Sequence, residues 1–423
     1  MTRLARMGHR LSESFGLNRM SREFKLFANT YFNFVAATTL SNIFISTFLF
    51  KSGGEMGTIA RYYFLFYLLE MTGIYLVVRL SHRVSNVAFT VIGLFLHAAA
   101  YSLLIIARED AIRIYPAIAV VCGLGSGFYW VSYHSLLQVY TTVKNRQFGM
   151  AFSGMVVNII TLVAPTVAGA VITWIPGTPG YVAVFCVAFL FFACAVLIMV
   201  RLKGTAPEAK RRTLLPLIRR MYHEKVLNYS MLGEFLRGLR DGVYAFYLNI
   251  LIFSMTSNEL VLGLTTTCKG AAAILIFYLL GRRNLDGPAR VRLMLAAALL
   301  SLCVTGSLFF WYSAAAVIVY SVLDNGAQLV INNYANYIGY NIASYASRKC
   351  GDCRMENAAL RLISLELGRT AGIFVSFLIP AGNNRAILTF FMVLCGVNLL
   401  AWAVYRRAEN RCRAAEEVDA HAG

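Results

Sequence analysis

The sequence predicts an all-α membrane protein with about twelve transmembrane helices in two sets of six. Three observations carry this. Long apolar stretches recur along the whole 423-residue chain. Charged residues make up only 14% of it, against roughly 25% in soluble domains. Lys and Arg crowd into every second gap between the apolar stretches. A hydrocarbon core about 30 Å thick needs roughly 20 apolar residues per helical crossing. Runs of that length lie at Phe27–Phe50, Ile59–Val78, Val87–Ile106, Ile114–Tyr140, Phe148–Thr173 and Tyr181–Val200 in the first half. The second half has Tyr229–Phe253, Glu259–Leu280, Leu293–Trp311, Ala314–Tyr340, Ala358–Ile379 and Ala386–Tyr405. No room is left for a separate soluble domain.

The gaps set the orientation. Of 39 Lys and Arg, roughly 29 fall on one side. They occupy the N-terminal tail from Arg3 to Lys25, then Arg79 and Arg83, Lys144 and Arg146, and the central gap. They continue at Arg282 to Arg292, Arg348 to Arg354, and the tail from Arg406. The opposite gaps hold Lys51, Arg61, Arg108, Arg113 and Arg385. Cytoplasmic loops are rich in Lys and Arg, so both termini are expected in the cytoplasm of a multi-pass cell-membrane protein. The formal charge of +19 is then topology, with attraction to lipid headgroups second, and no nucleic-acid partner is expected. The first span is too long for a cleaved signal peptide. Cys350 and Cys353 form a C-x-x-C pair in a basic loop, without the second pair or spaced His that a zinc site needs. No cofactor or metal is expected.

The longest polar gap runs from Arg201 to Asn228 and contains Pro207 and Pro216. Six spans precede it and six follow. This divides the chain into a tail (1–26), a six-helix bundle (27–200), a basic linker (201–228), a second bundle (229–405) and a tail (406–423). The halves rhyme. Spans four and ten are both long and rich in Tyr, Asn and small residues. Each leads into a short basic loop, Lys144-Asn145-Arg146 and Arg348-Lys349, and spans five and eleven then end near Pro176 and Pro380. Two six-helix repeats around a midplane cavity are a common plan of secondary transporters.

With this layout and basic central loop, the chain resembles the major facilitator superfamily over essentially its whole length. Span five contains Ala164-Pro165-Thr166-Val167-Ala168-Gly169, similar to the antiporter branch's Gly-Pro-x-x-Gly-Gly stretch with two Gly replaced by Ala. Span four contains Cys122-Gly123-Leu124-Gly125-Ser126-Gly127, the glycine frame of another family motif, with Ala119 where that motif places Arg. The loop Val78-Arg79-Leu80-Ser81-His82-Arg83 departs from the family pattern by lacking its Asp and second Gly. Its repeat counterpart, Gly281 to Gly287, keeps an Asp at shifted spacing, Asp286.

Ionisable residues at bilayer depth are functional candidates by default. At about 1.5 Å per residue, Glu70, Asp241, Lys269, Asp324, Glu366 and Arg369 all fall near the midplane. Arg237 and Asp241 are four apart, and Glu366 and Arg369 three apart, so each pair can meet on one helix face. Lys269 has no partner on its own helix and must reach Asp241, Asp324 or an anionic solute group. Glu70 also lacks a local partner, and desolvation favours the neutral form of such a carboxyl. Glu70, Asp241, Asp324 and Glu366 are therefore the candidate proton carriers, Glu70 first.

The resemblance implies that spans one, four, seven and ten line the cavity. It places Asn33, Asn42, Tyr129, Tyr133, His134, Gln138, Arg240, Gln328, Asn332 and Asn336 near the solute. Lys269 and Arg369, on spans eight and eleven, join them as midplane cations suited to an acidic solute group. Trp130, Thr38 and Asn29 are on the same spans. Tyr62, Tyr63 and Tyr67 suit an interfacial belt. Aromatic walls with a few polar groups suit a small amphipathic solute. The expected function is secondary transport by a monomer, with proton antiport and export as the leading form. Uptake of an acidic solute is the alternative. A membrane-embedded enzyme or lipid-handling protein is a remote third, since no nucleophile or metal-ligand pattern is present.

Overall fold

A computed structural model describes residues 21–140, 146–202, 225–281, 287–350, 354–379 and 384–422. Among these the chain forms twelve long helices. The first six are α1 (Arg22–Lys51), α2 (Met56–Leu80), α3 (Asn86–Ala107), α4 (Tyr115–Val139), α5 (Arg146–Trp174) and α6 (Thr178–Met199). The second six are α7 (Lys225–Thr256), α8 (Glu259–Gly281), α9 (Gly287–Ser307), α10 (Ala314–Cys350), α11 (Arg354–Ser376) and α12 (Asn384–Ala422). Local chemistry sets several starts. Ser21 and Ser85 accept from the amides of Phe24 (3.1 Å) and Ala88 (3.2 Å) at the starts of α1 and α3. Pro116 lies in the first turn of α4 and Pro179 in that of α6, where a missing N–H costs nothing.

Ten of the twelve are long and apolar enough to cross a membrane by length and composition. The two that are not, α7 and α11, carry Glu234, Arg237, Arg240 and Asp241, and Arg361, Glu366 and Arg369. Such charge survives at depth only inside a bundle, paired with other protein groups.

Helix ends differ from the expected spans mainly on the basic side. α7 starts at Lys225, α10 continues to Cys350 and α12 to Ala422, beyond Tyr405. After Gly396 no Gly or Pro interrupts α12, and its polar end is rich in Ala, Arg and Glu, all good helix formers. The N-terminal tail, most of the central linker, Lys144, Asp286, Cys353, Pro380 and the side chain of Gln138 lie outside the described residues.

Glycine permits the closest approaches. A Cβ at Gly238 on α7 would overlap the Leu365 carbonyl on α11, and one at Gly368 would overlap the Phe235 carbonyl. The glycine frame of α4 works the same way. Gly127 lies against the Glu70 carbonyl on α2, and Gly125 against α3 at Gly93. The halves meet along α2–α11 and α5–α8. At the second seam Pro165 of the antiporter-like stretch lies against Gly263, and Thr166 Oγ1 is 2.7 Å from Thr267 Oγ1. At the α1 end remote from the N-terminal tail, Lys51 pairs with Glu259 of α8, which also accepts from Tyr181 Oη at 2.9 Å.

Candidate functional site

A cavity of about 200 Å³ lies between the halves. Phe34, Thr38, Asn42 and Ile45 reach it from α1, and Tyr62, Phe66, Tyr67 and Glu70 from α2. His97 comes from α3, and Cys122, Ser126 and Trp130 from α4. From the second half comes Arg369 of α11. The backbone contacts of Gly127 and Gly368 set where α2 and α11 present Glu70 and Arg369.

Arg369 is the pivot. Its Nη1 donates to Glu366 Oε1 at 2.8 Å, one turn back on the same helix, as the spacing implies. Its guanidinium carbon lies 5.1 Å from the centroid of the Tyr67 ring, a cation–π distance. Among the described residues, Arg369 Nε and Glu366 Oε2 have no hydrogen-bond partner. Glu70 is buried, forms no ion pair with a described residue, and stands within electrostatic reach of both Glu366 and Arg369. Asp241 on α7 is also within reach of Glu366 and Arg369.

Asp241 does not pair with Arg237. Arg237 Nη2 instead meets Glu234 Oε2 at 3.1 Å, and Arg361 of α11 holds the other carboxylate oxygen. The reason is directional. Helical side chains lean toward the N-terminus, so Arg237 reaches back to Glu234 rather than forward to Asp241. Asp324 and Arg240 form a second pair, with side chains 4% and 3% exposed. Ser301 Oγ donates to Asp324 Oδ1 at 2.6 Å, and Arg240 stacks on Tyr244 at 3.8 Å. Neither lines the cavity described here. Lys269 is half-buried within electrostatic reach of Asp324, but Asp324 is already taken by Arg240.

The other expected solute contacts divide. Asn42 is on the wall and accepts from Tyr101 Oη at 3.2 Å. Asn33 is turned to its own helix, donating to the Asn29 carbonyl at 2.8 Å. Tyr129 is stacked on Phe34 at 3.6 Å, and Tyr133 on Tyr31 at 4.6 Å, so both are packed behind the wall. His134 lies beside Trp130 and Tyr133. Gln328 Nε2 reaches Ser301 Oγ at 3.5 Å, inside the second half. Asn332 is half-buried and Asn336 exposed further along α10.

Sequence reasoning missed several residues. Tyr62 and Tyr67 face the cavity and are buried rather than forming an interfacial belt. The spacing of Tyr63, Tyr67 and Glu70 already put them on one helix face. His97 faces the cavity, with Ser126 Oγ 3.4 Å from its Nε2. Glu234 and Arg361 are far apart in sequence, and only the fold joins them.

The comparisons with known proteins agree with this architecture. The Major Facilitator Superfamily model matches residues 26–348. Uncharacterized protein YqgE of Bacillus subtilis (strain 168) is 28% identical over 345 residues, covering 81% of this chain and 79% of that protein. An uncharacterized protein in the sodM 3'region of Geobacillus stearothermophilus is 22% identical over 161 residues, 38% of this chain and 75% of that one. Among solved structures, a bacterial homologue of the human drug peptide transporters PepT1 and PepT2 superposes with a TM-score of 0.68 at 10% identity. The match covers 94% of this chain and 99% of that one. A structure from work on proton dependent oligopeptide transporters gives 0.67 at 10% identity over 92% and 98% of the two chains. A family model spanning most of the chain and a matching twelve-helix fold lead to one conclusion: the protein belongs to the Major Facilitator Superfamily.

Proposed function

We propose that the protein exports a small amphipathic organic solute from the cytoplasm by proton antiport, working as a monomer in the cell membrane with both termini inside. The carrying observation is that Glu70 of the first half and Arg369 of the second line one cavity. A buried carboxyl favours its neutral form, and a guanidinium brought close favours the carboxylate. Relative movement of the halves therefore changes the proton affinity of Glu70, which is what coupling requires. The rings of Phe34, Tyr62, Phe66 and Trp130 offer an apolar surface, and Asn42, Ser126 and His97 a few polar contacts. In the cycle, Glu70 takes a proton from outside as solute leaves, and releases it inside when the cavity reopens there. With this orientation the Lys51–Glu259–Tyr181 contact lies at the outer end.

The test is a proton gradient across everted vesicles, challenged with a panel of amphipathic cations, anions and sugars. Antiport predicts that one class collapses the gradient in the wild type and not in Glu70→Gln. Solute flux unchanged after the gradient is dissipated would rule antiport out. Proton-coupled uptake of an acidic solute is the second reading. It is favoured by Lys269, which forms no ion pair with a described residue and is free for an anionic group. Inward flux driven by an inward proton gradient, lost in Lys269→Ala, would select it.

A further inference from the structure

We propose that Arg369 is shared between two acids, Glu366 on its own helix and Glu70 on the opposite half, and that its transfer between them ties Glu70's proton to the movement of the halves. This rests on the reading of Glu70 as proton carrier.

The geometry separates a fixed contact from a variable one. Glu366 and Arg369 are three residues apart on α11, so rocking of the halves cannot change their spacing. α11 is locked to α7 by the contacts of Gly238 and Gly368. Glu70 belongs to the other body, because Gly127 on α4 packs on its carbonyl. The Glu70–Arg369 separation is therefore the one that reports conformation. Arg369 is also incompletely engaged, as shown by the unpartnered Arg369 Nε and Glu366 Oε2. The Tyr67 ring, one turn from Glu70, gives the guanidinium a favourable surface along the way.

The groups facing Glu70 leave Arg369 as the cation that sets its charge. Tyr67 comes from its own helix, Asn42 from α1, His97 from α3, and Cys122 and Ser126 from α4. Glu366 and Arg369 come from α11; on α7, Asp241 acts on both of these and Arg237, held by Glu234, acts on Glu366. In the cycle, ionised Glu70 holds Arg369. Protonation from cavity water releases Arg369 wholly to Glu366, and return of the proton to water draws it back.

The proposal is tested without knowing the solute. Infrared difference spectra of the full-length protein in nanodiscs, titrated with pH, report protonated carboxyls. The Glu70 band is the one lost in Glu70→Gln. In Glu366→Gln, Arg369 loses the acid it is paired with and is left to Glu70 and Asp241. This favours the Glu70 carboxylate, so the band's midpoint moves to lower pH. In Arg369→Gln the cation is gone and the neutral acid is favoured, so the midpoint moves to higher pH. Shifts of about 1–3 pH units are expected. Arg369→Lys, which keeps the charge, returns the midpoint toward the wild type. Glu366→Asp, a milder change should Glu366→Gln fail to fold, gives a smaller shift in the same acid direction. Opposite shifts in the two single variants are required. The sharing is established when Glu366→Gln moves the midpoint much less in an Arg369→Gln background than in the wild type; an equal acid shift in both backgrounds is plain repulsion by Glu366 and overturns it. Shifts in one direction, or none, overturn it while leaving Glu70 as carrier. No band lost in Glu70→Gln overturns the carrier reading itself.

Discussion

The two halves that meet at the cavity are built by opposite means. The first half presents mostly uncharged side chains backed by stacked rings, Phe34 on Tyr129 and Tyr133 on Tyr31, with Glu70 as its buried carboxylate. The second half is laced with charge pairs, Glu234 with Arg237 and Arg361, Asp324 with Arg240, and Glu366 with Arg369. Stacked rings need no partner of fixed charge, whereas buried ions must be matched one by one. On the proposed reading, the unmatched acid of the aromatic half is the one that changes charge, and the paired half supplies the cation it answers to.

Glu70→Gln strikes that contrast hardest. Removing a positioned proton-transfer group is expected to lower proton-driven flux roughly 100-fold. The protein should keep its thermal stability, measured by fluorescence-detected unfolding. A parallel loss of stability would make Glu70 a structural carboxyl. Next comes the paired half. Arg240→Gln strands Asp324 and is expected to cost about 3–5 kcal/mol, while Arg240→Met with Asp324→Leu costs less than either single change. Equal costs would show that the pair is not a unit. In the aromatic half, Phe34→Leu loses the stacking on Tyr129, worth about 0.5–1.5 kcal/mol. Thermal unfolding of both sets tests whether the halves differ as stated. The smallest effect is at the Lys51–Glu259 contact. Lys51 is 41% exposed, which screens the pair, although the Glu259 side chain is only 7% exposed, so Glu259→Gln should cost about 1 kcal/mol, the upper end for a surface pair. A larger loss would make this contact a main fastening between the halves.

Much of this was legible in the sequence. Ten of the twelve spans follow from apolar length, with the charge-bearing α7 and α11 falling short of it, and the pairing of Glu366 with Arg369 follows from helical spacing. Glu70 stood out because it lacked a local partner, and it does line the cavity. The rest depends on contacts between distant segments. Glu234 is bound not only by Arg237 of its own helix but by Arg361 arriving from α11, which spacing within one helix does not show. Arg240 and Asp324, both offered as site residues, consume each other across α7 and α10. Tyr129 and Tyr133 lie on a cavity-lining helix but face its packed side. That choice is set by where the glycines of α4 let α2 and α3 approach, and spacing alone does not show it.

The central claim is that solute and proton meet in one cavity. Cys122, buried on the same wall as Glu70, tests it most directly. Its alkylation by N-ethylmaleimide, followed by peptide mapping with and without the solute that collapses the proton gradient, should slow when solute is bound. Alkylation of the exposed Cys194, Cys268 and Cys303 should stay the same. Unchanged alkylation of Cys122 at saturating solute would place the solute elsewhere and contradict the account.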